Sequence, residues 1–141
     1  MTINEIQDQL VEEFSIFTDW MDRYNYLIEL GNKLAAVDPK FKTDEYLISG
    51  CQSKVWLHAE YDNGIMRYTA ESDAIIVKGI VALLIRVLSG QPASEVVNSD
   101  LYFIDKIGLK ENLSPTRSNG LVSMVKKMKL YALAYQAKHN A

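Results

Sequence analysis

Cysteine is nearly missing from this chain: among 141 residues there is one, Cys51. A lone thiol cannot close an internal disulfide, and it suits a reducing compartment better than the paired cysteines common in secreted chains. Proline occurs three times, and no proline-rich linker, low-complexity tract or internal repeat marks a boundary, so one domain over residues 1–141 is expected. Positive charge is not in excess. Fifteen Lys and Arg against 18 Asp and Glu give −3, which leaves no basic footprint for nucleic acid. Long apolar runs are also lacking: the greasiest segment, Ala74 to Leu88, is broken by Lys78, Gly79 and Arg86 and is too short for a bilayer. Met1 to Asp8 is acidic rather than a basic start to an apolar stretch. No secretory signal is read there, and a cytoplasmic location is expected.

What is present is periodic. Ile6, Leu10, Phe14 and Phe17 recur at helical spacing between acidic residues, and a second helix from about Asp19 carries Trp20, Tyr24, Leu27, Ile28 and Leu34 on one stripe. Gly31 within it predicts either a close crossing or a break. Ala36 to Thr43 reads as an exposed connection. Lys54 to Tyr61 alternates, with Val55, Leu57, Ala59 and Tyr61 on one face; Asp62-Asn63-Gly64 is a tight-turn signal, and Ile65 to Thr69 returns antiparallel. Leu47 and Ile48 are candidates for a third strand. Glu71-Ser72-Asp73 offers capping oxygens to a helix from about Ala74, apolar nearly all round and ended by Gly90. A short helix at Pro92 and a brief turn at Leu101 to Ile104 are expected. The last helix opens at Ser114-Pro115, with Leu121, Met124, Met128, Tyr131 and Tyr135 inward and Lys126, Lys127 and Lys129 toward water. The fold class is α+β, a small antiparallel sheet of about three strands packed against helices.

Within that frame Cys51 sits in Ser49-Gly50-Cys51-Gln52-Ser53, a loop held by strands on both sides. Lone cysteines are often inert buried hydrophobes. Here Gly50 frees the backbone just before the thiol, while Gln52 and Ser53 surround it with hydrogen-bonding groups, so Cys51 reads as presented to a partner.

The run Gly50-Cys51-Gln52-Ser53-Lys54-Val55-Trp56-Leu57 resembles the diagnostic motif of the SufE family of sulfur acceptors. Ser72 to Gly79, Ser114 to Leu121 and Tyr26 to Gly31 resemble further family segments, in the family's order. The resemblance implies a SufE/IscU-like fold and a persulfide carrier: Cys51 takes sulfane sulfur from a pyridoxal-phosphate-dependent cysteine desulfurase, SufS-like, activates it, and passes the sulfur on for iron–sulfur cluster assembly on a downstream scaffold. It implies no metal or organic cofactor in this chain and no turnover without the desulfurase. Preorganised docking is expected to contribute more than thiol acidity, with Cys51 partly sheltered at rest and swinging out on docking.

For the other candidates two readings stand side by side. Arg117 binds the partner or places the Cys51 loop, or is a plain surface arginine. Asp73 is read first as an N-cap and second as a holder of the cysteine loop. Gln52 and Ser53 shape the loop and donate to a sulfur anion, or simply satisfy a turn. His58 as a base is disfavoured, because seven residues of strand place it roughly 20 Å from Cys51. Three rivals follow: a docking module that stimulates a desulfurase without carrying sulfur, an iron–sulfur scaffold, which one cysteine serves badly, and a cysteine hydrolase, which lacks a placed base.

Overall fold

The computed structural model describes residues 1–140. Helix α1 (Ile3–Ser15) starts at Thr2, whose hydroxyl accepts from the Glu5 N–H while the Glu5 carboxylate accepts from the Thr2 N–H. This reciprocal box satisfies two amides the first helical turn leaves orphaned. α2 (Trp20–Asn32) is capped by Asp19 through the Met21 N–H. α2 crosses α3 (Ile75–Leu88) at Gly31 and Gly79. A Cβ on Gly31 would lie 2.6 Å from the Gly79 nitrogen, and one on Gly79 2.3 Å from the Leu27 carbonyl oxygen. Of the two readings left open for Gly31, the close crossing is the one found.

β1 (Val55–Asp62) and β2 (Ile65–Ser72) pair antiparallel from Val55↔Ser72 to Asp62↔Ile65. Asn63 and Gly64 both have positive φ, 50° and 86°, as the two-residue hairpin turn that matches strand twist demands. The third strand is not Leu47–Ile48. It is β3 (Gln91–Pro92), which pairs with Ile65 and Met66, while Leu47 makes only an isolated bridge to Trp56. The chain can reach that edge because Gly90 turns out of α3 at φ 83°, and its N–H donates to the Met66 carbonyl at 2.7 Å.

α4 (Ala93–Asn98), α5 (Phe103–Lys106), α6 (Leu109–Asn112) and the long α7 (Pro115–Asn140) complete the fold. α3 is the central helix, with Ile80, Leu83, Leu84, Val87 and Leu88 almost wholly buried in one core shared with α1, α2, the sheet and α7. Each such leucine is worth about 1.5–3 kcal/mol of removal from water. The inward face of β1 is as expected, but its other face is half covered too. The connection from Ala36 to Thr43 is mostly exposed, as expected, but it carries a short 3-10 turn, Pro39–Phe41, with a second, Asp44–Tyr46, just beyond it. Phe41 stacks on His58 at 3.6 Å, and Glu71 anchors the segment by accepting from the Val37 N–H and from Lys42 Nζ at 2.7 Å.

On α7, Leu121, Met124 and Met128 face the core. Lys129 does not point to water: its ammonium donates to the Ser99 carbonyl at 2.6 Å and ties α7 to the end of α4. Among the described residues no helix is long and apolar enough to cross a membrane.

Candidate functional site

Cys51 stands in the loop between the Leu47 bridge and β1, against the first turns of α7. Two glycines stand at the approach. Gly50 takes φ 89°, where an L side chain is strained, and a Cβ there would fall 2.5 Å from Ser123 Oγ. Gly120, buried within α7, presents bare backbone to the loop, and the Cys51 thiol lies 3.6 Å from the Gly120 carbonyl oxygen and donates weakly to it.

The thiol is half-buried and opens on a cavity of about 80 Å³ lined by Gln52, Ser53, Arg117, Gly120 and Met124, with Val55, Val77 and Ile80 behind. One wall comes from the α7 positions 116, 117, 120 and 124, which share a helix face by the 3.6-residue repeat. Burial pushes the Cys51 thiol above the ordinary thiol range, because the apolar wall disfavours the thiolate more than the neutral form. At rest the thiol is partly sheltered, in surroundings that favour its neutral form.

The structure brings Cys51, Gln52, Ser53 and Arg117 to one cavity, with Gly50 supplying the bend. Arg117 is exposed at the cavity rim, and its backbone N–H donates to the Ser114 hydroxyl that opens α7. Asp73 is the correction. α3 has Ala74 at its N-cap position with no side-chain cap, and the Asp73 carboxylate instead accepts from the Lys54 N–H at 3.0 Å while its own N–H donates to the Lys54 carbonyl at 3.2 Å. It thus clamps the residue that follows the cysteine loop. The reason is geometric: the strands end at Val55↔Ser72, so Lys54 and Asp73 face each other one step beyond the ladder. The Ser72 hydroxyl accepts from the Ala74 N–H in its place.

Gly120, Ser123 and Met124 were not singled out as site residues. The legible signal was Gly120 itself, since a glycine inside a helix costs about 1 kcal/mol against alanine and marks a close approach. His58 does not line the cavity; its ring lies against Phe41, with Tyr46 edge-on. His139 stacks on Tyr61 at 4.5 Å, away from the thiol. Among the described residues no three His, Cys, Asp or Glu side chains converge as a metal site would need.

Comparison with known proteins meets this geometry. The SufE family model, described as an Fe-S metabolism associated domain, matches residues 8–132. An uncharacterized SufE-like protein of Rhizobium etli is 47% identical over 127 residues, 86% of this chain and 86% of its own. The chloroplastic/mitochondrial SufE-like protein 1 of Arabidopsis thaliana is 36% identical over 140 residues, covering 96% of this chain but 38% of its own length. The solution structure of a hypothetical protein from Thermus thermophilus superposes with a TM-score of 0.77 over 94% of this chain and 96% of that one, at 22% identity, which establishes the shared fold. The profile match takes in the cysteine loop, its Asp73 clamp and the α7 wall together, and the chain belongs to the SufE family.

Proposed function

We propose that Cys51 is a persulfide carrier, loaded by a pyridoxal-phosphate-dependent cysteine desulfurase and discharged to the scaffold on which iron–sulfur clusters are assembled. The observation that carries this reading is the position of the family-motif cysteine: half-buried, on a loop, opening on a cavity beside α7. In the loading step Cys51 gives up its proton, and its sulfur attacks the outer sulfur of the partner's persulfide. A new S–S bond forms at Cys51, the partner's S–S bond breaks, and the electron pair leaves on the partner's inner sulfur with the proton. Nothing is oxidised or reduced overall.

A thiol raised by burial is a poor nucleophile at rest, which protects it from oxidants and stray thiols. Reaction requires the loop to leave the α7 wall and expose Cys51. Its partner contacts then supply orientation, for which effective molarities of about 10⁵ M or more are known in well-aligned systems. Gln52 and Ser53 shape the loop, Asp73 fixes its far end, and Arg117 at the rim meets the partner or the sulfur anion. The protein works as one domain in a reducing, cytoplasmic compartment, which suits a single thiol.

Intact-protein mass spectrometry after incubation with a cysteine desulfurase and free cysteine tests the reading. Gain of one sulfur mass, reversed by reductant and missing in Cys51→Ser, supports it. Equal stimulation of the desulfurase by both proteins, with no mass gain in either, would make this chain a docking activator that carries no sulfur.

A further inference from the structure

We propose that Gly120 is a positioning residue: by lacking a side chain it keeps open the seat beside Cys51 Sγ in which the transferred sulfur rests. The inference deepens the persulfide-carrier reading and rests on it.

Glycine at position 120 does nothing for the helix. It lies inside α7, where alanine is the better helix former. Nor does it serve an element crossing. The three atoms nearest to a Cβ there all belong to Cys51, Sγ at 3.5 Å and Cα and Cβ at 3.9 Å. The open side of Gly120 therefore faces Cys51 first.

The resting thiol does not need that space, because 3.5 Å is ordinary van der Waals contact and alanine would fit against it. A loaded cysteine does need it. The added sulfur stands roughly 2.05 Å from Sγ and requires the usual separation of about 3.5–4.0 Å from any carbon. A methyl group at position 120 would take that clearance on the α7 side of Sγ. The cavity into which the sulfur would extend, about 80 Å³, exceeds the roughly 10–15 Å³ that one water needs. Its lining matches the cargo: the polarizable thioether of Met124 and the apolar Val77 and Ile80 inside, and Arg117 at the rim for the negative charge of a persulfide anion.

The test loads the full-length chain and Gly120→Ala with inorganic polysulfide, so that no desulfurase is involved, and confirms one added sulfur by mass. Cyanide then removes the outer sulfur as thiocyanate: a carbon–sulfur bond forms, the S–S bond breaks, and the electron pair returns to Cys51. The quantity read is the ratio of the cyanolysis rate of the persulfide to the iodoacetamide alkylation rate of the free thiol. A seat that favours the closed, loaded state predicts that this ratio rises about tenfold in Gly120→Ala, since protection follows the closed population. Val122→Ala, on the exposed side of α7, leaves the ratio unchanged. A general loosening of the loop would raise both rates equally, and that outcome overturns the proposal, as does a ratio within twofold of the parent. Circular dichroism confirms that the variant is folded; if it is not, Gly120→Ser is read in the same way. A parent chain that takes up no sulfur from polysulfide or from the desulfurase refutes the carrier reading as well. A parent that loads normally while Gly120→Ala keeps its ratio refutes this inference alone.

Discussion

Gly31 and Gly79 bring α2 onto α3, and Gly50 and Gly120 stand where the cysteine loop meets α7, yet the two places differ in what stands opposite the missing side chain. At the helix crossing it is backbone: Gly79 faces the Leu27 carbonyl at 2.3 Å from its would-be Cβ, and Gly31 faces the Gly79 nitrogen at 2.6 Å. Backbone inside two packed helices cannot move without unpacking the core. At the loop it is side chain: Gly50 faces the Ser123 hydroxyl at 2.5 Å and Gly120 faces the Cys51 sulfur at 3.5 Å. Those atoms can rotate or leave. The same residue type thus builds a fixed joint in one place and a releasable contact in the other, and the releasable one holds the thiol.

Substitution at the fixed joint is the strongest way to expose the difference. Gly79→Ala forces two helices apart and is expected to cost about 3 kcal/mol, lowering Tm by about 10 °C, with no second-site change able to restore it. Differential scanning calorimetry reads the loss. At the loop, Gly50→Ala is expected to cost about 2 kcal/mol, part from the positive φ and part from Ser123. Adding Ser123→Ala should return about half of that in a double-mutant cycle by urea denaturation; a cycle with no coupling would erase the contrast drawn here.

Smaller effects sharpen it. Asp73→Ala removes the acceptor for the Lys54 N–H, which should destabilise by only about 1 kcal/mol while speeding Cys51 alkylation about fivefold, because the loop loses its far anchor. The smallest effect is in pH. The folded Cys51 thiol is raised by burial, so its alkylation rate should rise with pH at a midpoint above the usual value of about 8.5. The native state then holds its proton longer than the unfolded chain. The stability this contributes is complete below the unfolded thiol's pKa and is lost as pH climbs through the folded one. Asp73→Ala should bring the alkylation midpoint back toward the ordinary value.

Much of this was legible from one dimension. The hairpin was written in Asp62-Asn63-Gly64, since few residues tolerate the positive φ values found there. The central helix was readable because Ile75 to Leu88 is apolar nearly all round, a pattern that only deep burial satisfies. The inward faces of β1 and α7 followed from periods of two and 3.6. The third strand was not legible: Gln91 and Pro92 are too few to show a period, and they pair only because Gly90 turns the chain beside Met66. The choice between the two readings of Asp73 is not legible, because a short-range capping partner and a strand-end partner look alike until the hairpin register is known. Lys129 failed for the same reason, its carbonyl partner Ser99 lying 30 residues away.

The sequence by itself determined the main helices, the hairpin and the family, and it singled out one thiol, because helix and strand periods, turn chemistry and a motif around one cysteine are local properties of the chain. Only the tertiary structure decided what surrounds that thiol. Gly120 lies 69 residues beyond Cys51, and the cavity between them is a gap left by the packing of α3, β1 and α7. A gap is a property of surfaces brought together, and no local pattern of residues encodes its size.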